Sequence, residues 1–340
     1  MPRAPGACYK SGMSKFNFPR LASILLPAAL AAQLAAAAAA APAQAPEAHY
    51  RAFDSKGRPV KIEEITASLD GADVLIVGET HNDRIAHLLE AELLRRADEG
   101  YGLSSQKKRT VALSLEMFER DVQTVVDEYV GGLIQERHFL LSSRPWSNYQ
   151  TDYRPLVEYA REHHLPVIAA NAPARYVSRV SALGPDSLRE LPQAAKAWLP
   201  PLPFPQASEA YASKFNSFMQ GASGGGMQPQ QQPAATPAQA NPHGGVHLLE
   251  AQTLRDASMA YAVADYLKRQ HDALVVQFNG TFHSEERLGV PEQLAHYRPK
   301  ARVVVVTILP DEGFPAFDAS RLGKLGDFVI ITDPAIPRSS

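Results

Sequence analysis

The sequence predicts an α/β fold, with a parallel or mostly parallel sheet flanked by helices on both faces in three layers. Three observations predict it. Short β-branched runs recur along the chain, amphipathic helical stretches separate them, and the runs are apolar nearly throughout instead of alternating. A strand with one wet face alternates, whereas a strand covered on both faces has no polar side to show.

Asp73–Val77 (DVLIV) reads as the first of these strands. Ile85–Arg96 follows as a helix, with Ile85, Leu89 and Leu93 at helical spacing. Thr110–Leu115 (TVALSL) is the second strand, and a helix opens over Val122–Tyr129. Leu156–His163 is helical and leads into Pro166–Ala169 (PVIA), the third strand. A long helix over about 248–268 precedes Ala273–Phe278 (ALVVQF). Arg302–Ile308 (RVVVVTI) and Asp327–Ile331 (DFVII) complete six strands. In the long helix, Gln252, Asp256, Met259, Ala260 and Val263 share one stripe. An acid on so apolar a stripe must be paired or neutralised.

Two segments stand outside this pattern. Residues 1–45 carry Lys15 and Arg20, then an Ala/Leu-rich run from Leu21 to Ala41, then Ala43-Gln44-Ala45. That is the three-part pattern of a secretory signal, and it predicts export to the periplasm. A membrane anchor is the competing reading, which Pro27 and the high alanine content weaken. The only cysteine, Cys8, precedes the run, so there is no lipobox cysteine, and a mature chain has no thiol for a disulfide or nucleophile. Residues 221–246 are rich in Gly, Pro, Gln and Ala without apolar period, and read as a disordered insertion. The organisation expected is a signal over 1–45, an N-terminal extension over 46–72 and one domain over 73–335.

Charge excludes one class of partner. The chain's net charge is −2, and the first 45 residues hold four basic residues (Arg3, Lys10, Lys15, Arg20) and no acid. No long Lys/Arg run occurs, so no nucleic-acid partner is expected. No Walker loop is present, and G-x-S-x-G occurs as Gly221-Ala222-Ser223-Gly224-Gly225, inside the low-complexity stretch and not between a strand and a helix, so it reads as no nucleophile elbow.

The position of the polar residues carries the functional argument. The strands lead into Glu79 and His81, into Glu116, into Asn171, and into Asn279-Gly280-Thr281-Phe282-His283. In parallel α/β sheets, ligands bind outside the carboxyl ends of the strands. Singly, Glu79, His81 or Glu116 also suits the N-terminus of a following helix. His87, one turn into its helix, is expected at the surface. Together, Glu79, His81, Glu116 and His283 match an acid/base set, or the ligands of a divalent metal such as Mn, Co, Zn or Fe.

These residues also carry a resemblance. VLIVGETHND (74–83), LSLEMFERDVQ (113–123), YRPLVEYAREHHLPVIAANAP (153–173), LRDASMAYAV (254–263) and FHSEERLGVPEQL (282–294) resemble the ChaN-like haem-binding uptake proteins. The likeness runs from about residue 70 to 308, apart from the insertion. The wider superfamily includes the Tiki metal-dependent proteases, the TraB-like proteins and the erythromycin esterases. Residues 279–283 depart from the usual Gly-x-Gly-His pattern of that superfamily by placing Thr281 and Phe282 before the imidazole.

The resemblance implies a binding protein more than an enzyme: haem binding in iron uptake, a tyrosine on the iron, a homodimer around the haem, and outer-membrane haem-uptake components as partners. Tyr149, Tyr153 and Tyr211 are the ligand candidates. Arg154 and Arg175 are candidates for the propionates, with Asn171, Gln252 and Asp256 as further cofactor contacts. The wider superfamily implies instead a hydrolase, peptidase or esterase, built on Glu79, His81, Glu116 and His283. A purely structural role would leave those polar groups with no ligand to serve.

Overall fold

The structure is a computed structural model and describes residues 45–223 and 246–339. The expected signal over 1–45, except its last residue, and nearly all of the expected insertion over 221–246 lie outside the described residues. The strands are β1 (Tyr50–Asp54), β2 (Pro59–Val60), β3 (Val74–Glu79), β4 (Val111–Glu119), β5 (Val167–Asn171), β6 (Leu274–Gly280), β7 (Val303–Pro310) and β8 (Phe328–Thr332). The helices are α1 (Ile62–Ala67), α2 (Arg84–Tyr101), α3 (Gln123–Val130), α4 (Glu136–Ser143), α5 (Arg154–Glu162), α6 (Ala174–Leu183), α7 (Gln193–Lys196), α8 (Glu209–Ser223), α9 (Leu248–Arg269), α10 (Val290–Tyr297) and α11 (Ala319–Leu322).

Among the described residues one sheet forms, in the order β2-β1-β8-β7-β3-β6-β4-β5. From β8 to β5 every pairing is parallel, and the β1–β2 hairpin adds antiparallel to β8. Residues 46–72, expected as an extension, are thus built into the sheet edge and α1. Their period-2 signal is too short to read, because β2 has only two residues.

Alternate residues of the strands feed two cores. Leu75 and Val77 of β3 pack with α1, α2, α3 and α5, while Val74 and Ile76 pack with α9 and α10. Helices therefore cover both faces, as the apolar runs require. The chain moves from β3 through α2 to β4, and through α3–α5 to β5, on one face. It then returns through α9 to insert β6 between β3 and β4, and leaves through α10 on the other face. The connections after β3 and β4 and the connection after β6 so diverge to opposite faces of the sheet. That divergence opens crevices beside the end of β6, where open α/β sheets take their ligands.

The strands run past their apolar stretches. Glu79 closes β3, and Glu116 lies inside β4 and not after it. Pairing of β4 with β5 shifts register between Leu115 and Glu119, and its pairing with β6 stops at Leu115–Phe278. Glu116 follows directly, on a bulged stretch released from its neighbours. Neither acid caps a helix. Asp83 caps α2, accepting from the amides of Ile85 (2.9 Å) and Ala86 (3.3 Å), and it also accepts from the Thr332 hydroxyl of β8. A cavity of about 980 Å³ opens by β1, α1 and α2, lined by Tyr50, Phe53, Lys61, Leu89 and Arg96. None of the strand-end residues lines it.

Asp83→Ala should lower unfolding stability by about 1–2 kcal/mol, the usual cost of a lost N-cap. Urea melts of the variant against the parent check this, and an unchanged midpoint would show that solvent caps α2 equally well.

Candidate functional site

Four elements meet at the crevice. Glu79 is fully buried at the end of β3, and His81, two residues on, donates from Nδ1 to its Oε1 over 2.6 Å. Tyr153 donates to the same oxygen over 3.1 Å and lies 3.5 Å from His81 Nδ1. Trp146, half-buried, stands edge-on to His81 at 4.9 Å between ring centroids. Among the described residues His81 Nε2 makes no hydrogen bond.

Glu116 supplies the second half. Its Oε2 accepts from the Gly280 amide at 2.8 Å, and its Oε1 lies 3.3 Å from His283 Nε2. His283 donates from Nδ1 to Asp256 Oδ1 over 2.6 Å, and Tyr211 donates to the other Asp256 oxygen. The amide nitrogen of Gln252 is 3.2 Å from His283 Nε2. The stripe acid of α9 is thus paired, and the departure at Thr281 and Phe282 still delivers His283 to the cluster on a 3₁₀ turn. Two glycines make this approach feasible. A Cβ on Gly280 would fall 2.8 Å from the His81 ring. Gly289 has φ +67°, and a Cβ there would meet the His283 carbonyl at 2.5 Å and Asp256 at 3.0 Å.

The charges sustain one another. Burial opposes ionisation of His283, but Glu116 and Asp256 outweigh it and raise its pKa to about 10. Burial likewise opposes the Glu116 carboxylate, and His283, His81 and the Gly280 amide hold it down at about 2. For His81 burial is again outweighed, by Glu79 and Glu116, and its pKa rises. Among the described residues two buried carboxylate oxygens accept no hydrogen bond: Glu79 Oε2, and Glu116 Oε1, which His283 meets only as an ion-pair partner.

Other candidates are placed differently. Tyr149 is buried against Phe118 and Phe139, with its hydroxyl unpartnered. Arg154 is tied to Glu136 and Arg175 to Asp121. Asn171 is buried at the end of β5, with only a long 3.5 Å bond from Arg255. Among the described residues, no group of three or more His, Cys, Asp or Glu side chains stands where it could hold a metal ion. The acids and imidazoles pair with each other instead of converging on one point.

His87 is not at the surface, as its position in the helix had suggested. It is buried, with Nδ1 on Glu90 at 2.8 Å and Nε2 on the His81 carbonyl at 3.2 Å. Asn148 donates to that same carbonyl over 2.9 Å and to Asp152 over 2.8 Å. This clamp on the His81 backbone escapes sequence reading, although His87 and Glu90 at i, i+3 on an apolar helix face were its visible trace. Arg255 was also missed, one residue before Asp256 and partly exposed.

Among the described residues, then, a mostly parallel α/β sheet carries a buried acid–imidazole cluster at the carboxyl ends of its strands. The chain belongs to the family of haem-binding uptake proteins of the Tiki superfamily, ChaN, which matches residues 65–294. The structure solved for cofacial haem binding to ChaN of Campylobacter jejuni shares the fold, with TM-score 0.59 and 17% identity, over 84% of this chain and 98% of that one. The chloroplast protein RETICULATA-RELATED 5 of Arabidopsis thaliana is 25% identical over 285 residues, 78% of this chain. The match covers 36% of that relative's length.

Haem needs an axial ligand, apolar surface and partners for its propionates. Half-buried Trp146 and Phe282 beside the two imidazoles, and the guanidinium of Arg255, fit the last two needs. The tyrosines fit the first only after rearrangement, because burial and neighbouring acids push the phenols of Tyr153 and Tyr211 well above their usual range.

Stability should fall on both sides of neutrality. The unfolded chain releases the His283 proton near the ordinary value of 6.5, the folded chain near 10. The stabilisation is complete below 6.5 and is lost as pH rises through 10. For Glu116 it is complete above the ordinary 4.5 and is lost as pH falls toward 2. Denaturant midpoints across pH check this. Glu116→Gln should make the acid limb shallower, and an unaltered limb would mean that this carboxylate is not held down.

Proposed function

We propose that this chain is an exported, periplasmic haem-binding protein acting in haem and iron uptake. One observation carries the reading: the family match over 65–294 spans the whole crevice, from Glu79 to His283. The export part rests on the sequence of residues 1–45 alone. A homodimer closing over the ligand, and outer-membrane uptake components as partners, belong to the same reading.

Bound haem supplies a ferric iron that suits an anionic phenolate, and two carboxylates that suit cationic donors. Tyr153 or Tyr211 would hold the iron, since both hydroxyls stand at the cluster. Each must first leave its acid, and the proton of that hydroxyl passes to Glu79 Oε1 or Asp256 Oδ2 respectively. Tyr149 ranks behind them, sealed among core aromatics. Trp146 and Phe282 offer apolar faces, and Gln252 and Asn171 offer amides. Arg154 and Arg175 would serve propionates only by releasing Glu136 and Asp121.

The relay from Asp256 through His283 to Glu116 favours a second reading, acid/base or metal-assisted hydrolysis. Glu79 Oε2, buried without a hydrogen bond among the described residues, would take the proton of a water, whereas Mn, Co, Zn or Fe would bind only if Glu79, His81, Glu116 and His283 left their present pairs.

Titrating the mature protein with haemin decides between them. The haem reading predicts a saturable, shifted Soret band with the charge-transfer band of tyrosinate ligation. Tyr149→Phe should keep that band, and one of Tyr153→Phe and Tyr211→Phe, the one at the ligand position, should remove it. With no saturable change the reading falls, and esterase and peptidase assays with added Mn, Co or Zn test the other.

A further inference from the structure

Among the described residues, several arginines are tied to acids. Arg144 pairs with Glu119 and Asp121, Arg154 with Glu136, Arg175 with Asp121 and Arg179 with Glu190. Arg255, like the half-buried Arg120, makes no ion pair among the described residues. Arg120 lies over the Tyr261 ring, whereas Arg255 stands at the strand ends, and its single hydrogen bond there is the long one from Nη1 to Asn171 Oδ1 at 3.5 Å. The other four guanidinium N–H groups have no acceptor.

Its position is the reverse of idle. Arg255 stands on α9 beside Asp256, reaches the carboxyl end of β5, and lies within the field of Glu116, Glu119 and Asp256. It is partly exposed, so an incoming group can meet it. A guanidinium withdrawn from water is costly unless a planar anion completes its fork. Its own neighbours do not complete it: Glu116 is engaged by His283 and Gly280, and Asp256 by His283 and Tyr211.

We propose that Arg255 is the anchor for a ligand carboxylate in the strand-end crevice, and that a haem propionate is that carboxylate. The identity of the ligand rests on the haem-binding reading; the anion site does not. Two parallel N–H···O bonds would form, with Asn171 holding the far edge of the guanidinium. Lysine cannot replace this geometry, because an ammonium is a point charge without a fork.

Haemin and its dimethyl ester, followed at the Soret band with the full chain, test it. Arg255→Gln should weaken haemin by roughly 10- to 100-fold, the range for losing a charge-assisted hydrogen-bonded pair. Arg255→Lys should fall between the variant and the parent. The ester, lacking free carboxylates, should bind Arg255→Gln as it binds the parent, which also shows that the variant is folded. Equal haemin affinity for parent and Arg255→Gln, or an equal loss for haemin and ester, would overturn the proposal. If neither porphyrin binds the parent, calorimetry with succinate reads the anion site alone. Binding lost in Arg255→Gln then keeps the site and discards haem, whereas no binding to the parent overturns it.

Discussion

A carboxylate that cannot reach water governs this structure. Glu116 is almost fully buried and keeps its charge because His283 stands at one oxygen and the Gly280 amide at the other. His283 in turn stays charged because Asp256 lies behind it, and Asp256 is supported by Tyr211. Removing one member strands the next as an uncompensated buried charge, which is far more costly than the pair was worth. That interdependence joins β4, β6, α8 and α9, and it dictates where glycine is needed. Gly280 lets His81 approach β6, and Gly289 lets Asp256 reach His283. The topology serves the same end, because inserting β6 between β3 and β4 brings Glu79, Gly280 and Glu116 to adjacent strand ends.

Much of this was legible in the residues. Six apolar runs became the six parallel strands, since a strand buried on both faces leaves a continuous signal. The long helix appears with nearly the boundaries expected, and Glu79, His81, Glu116 and His283 lie at neighbouring strand ends as two paired halves, with Asn171 apart on a long bond from Arg255. Strand ends were misjudged by a few residues because pairing continues through Glu79 and beyond Leu115, where hydropathy already falls. The β1–β2 hairpin was invisible because main-chain pairing to β8 forms it, not its own pattern. His87 misled for a related reason. Position along a helix does not say which neighbour covers it, and the turn holding Asn148 and Asp152 arrives from far along the chain.

The site has an inner and an outer part, and they suggest different chemistry. Inside, acids, imidazoles and phenols are paired in a closed network with almost no exposure, which suits proton handling. Outside, Trp146, Phe282, Gln252 and Arg255 remain partly exposed. On the proposed reading, ligation by Tyr153 or Tyr211 would first break one phenol–carboxylate hydrogen bond.

The most direct measurement is a structure of the haem-loaded protein. The account predicts the porphyrin at the carboxyl ends of β3, β6 and β4, with a propionate on Arg255 and the iron on Tyr153 or Tyr211. A porphyrin seated instead in the cavity by β1, α1 and α2, among Tyr50, Lys61 and Arg96, with the strand-end network intact, would contradict it.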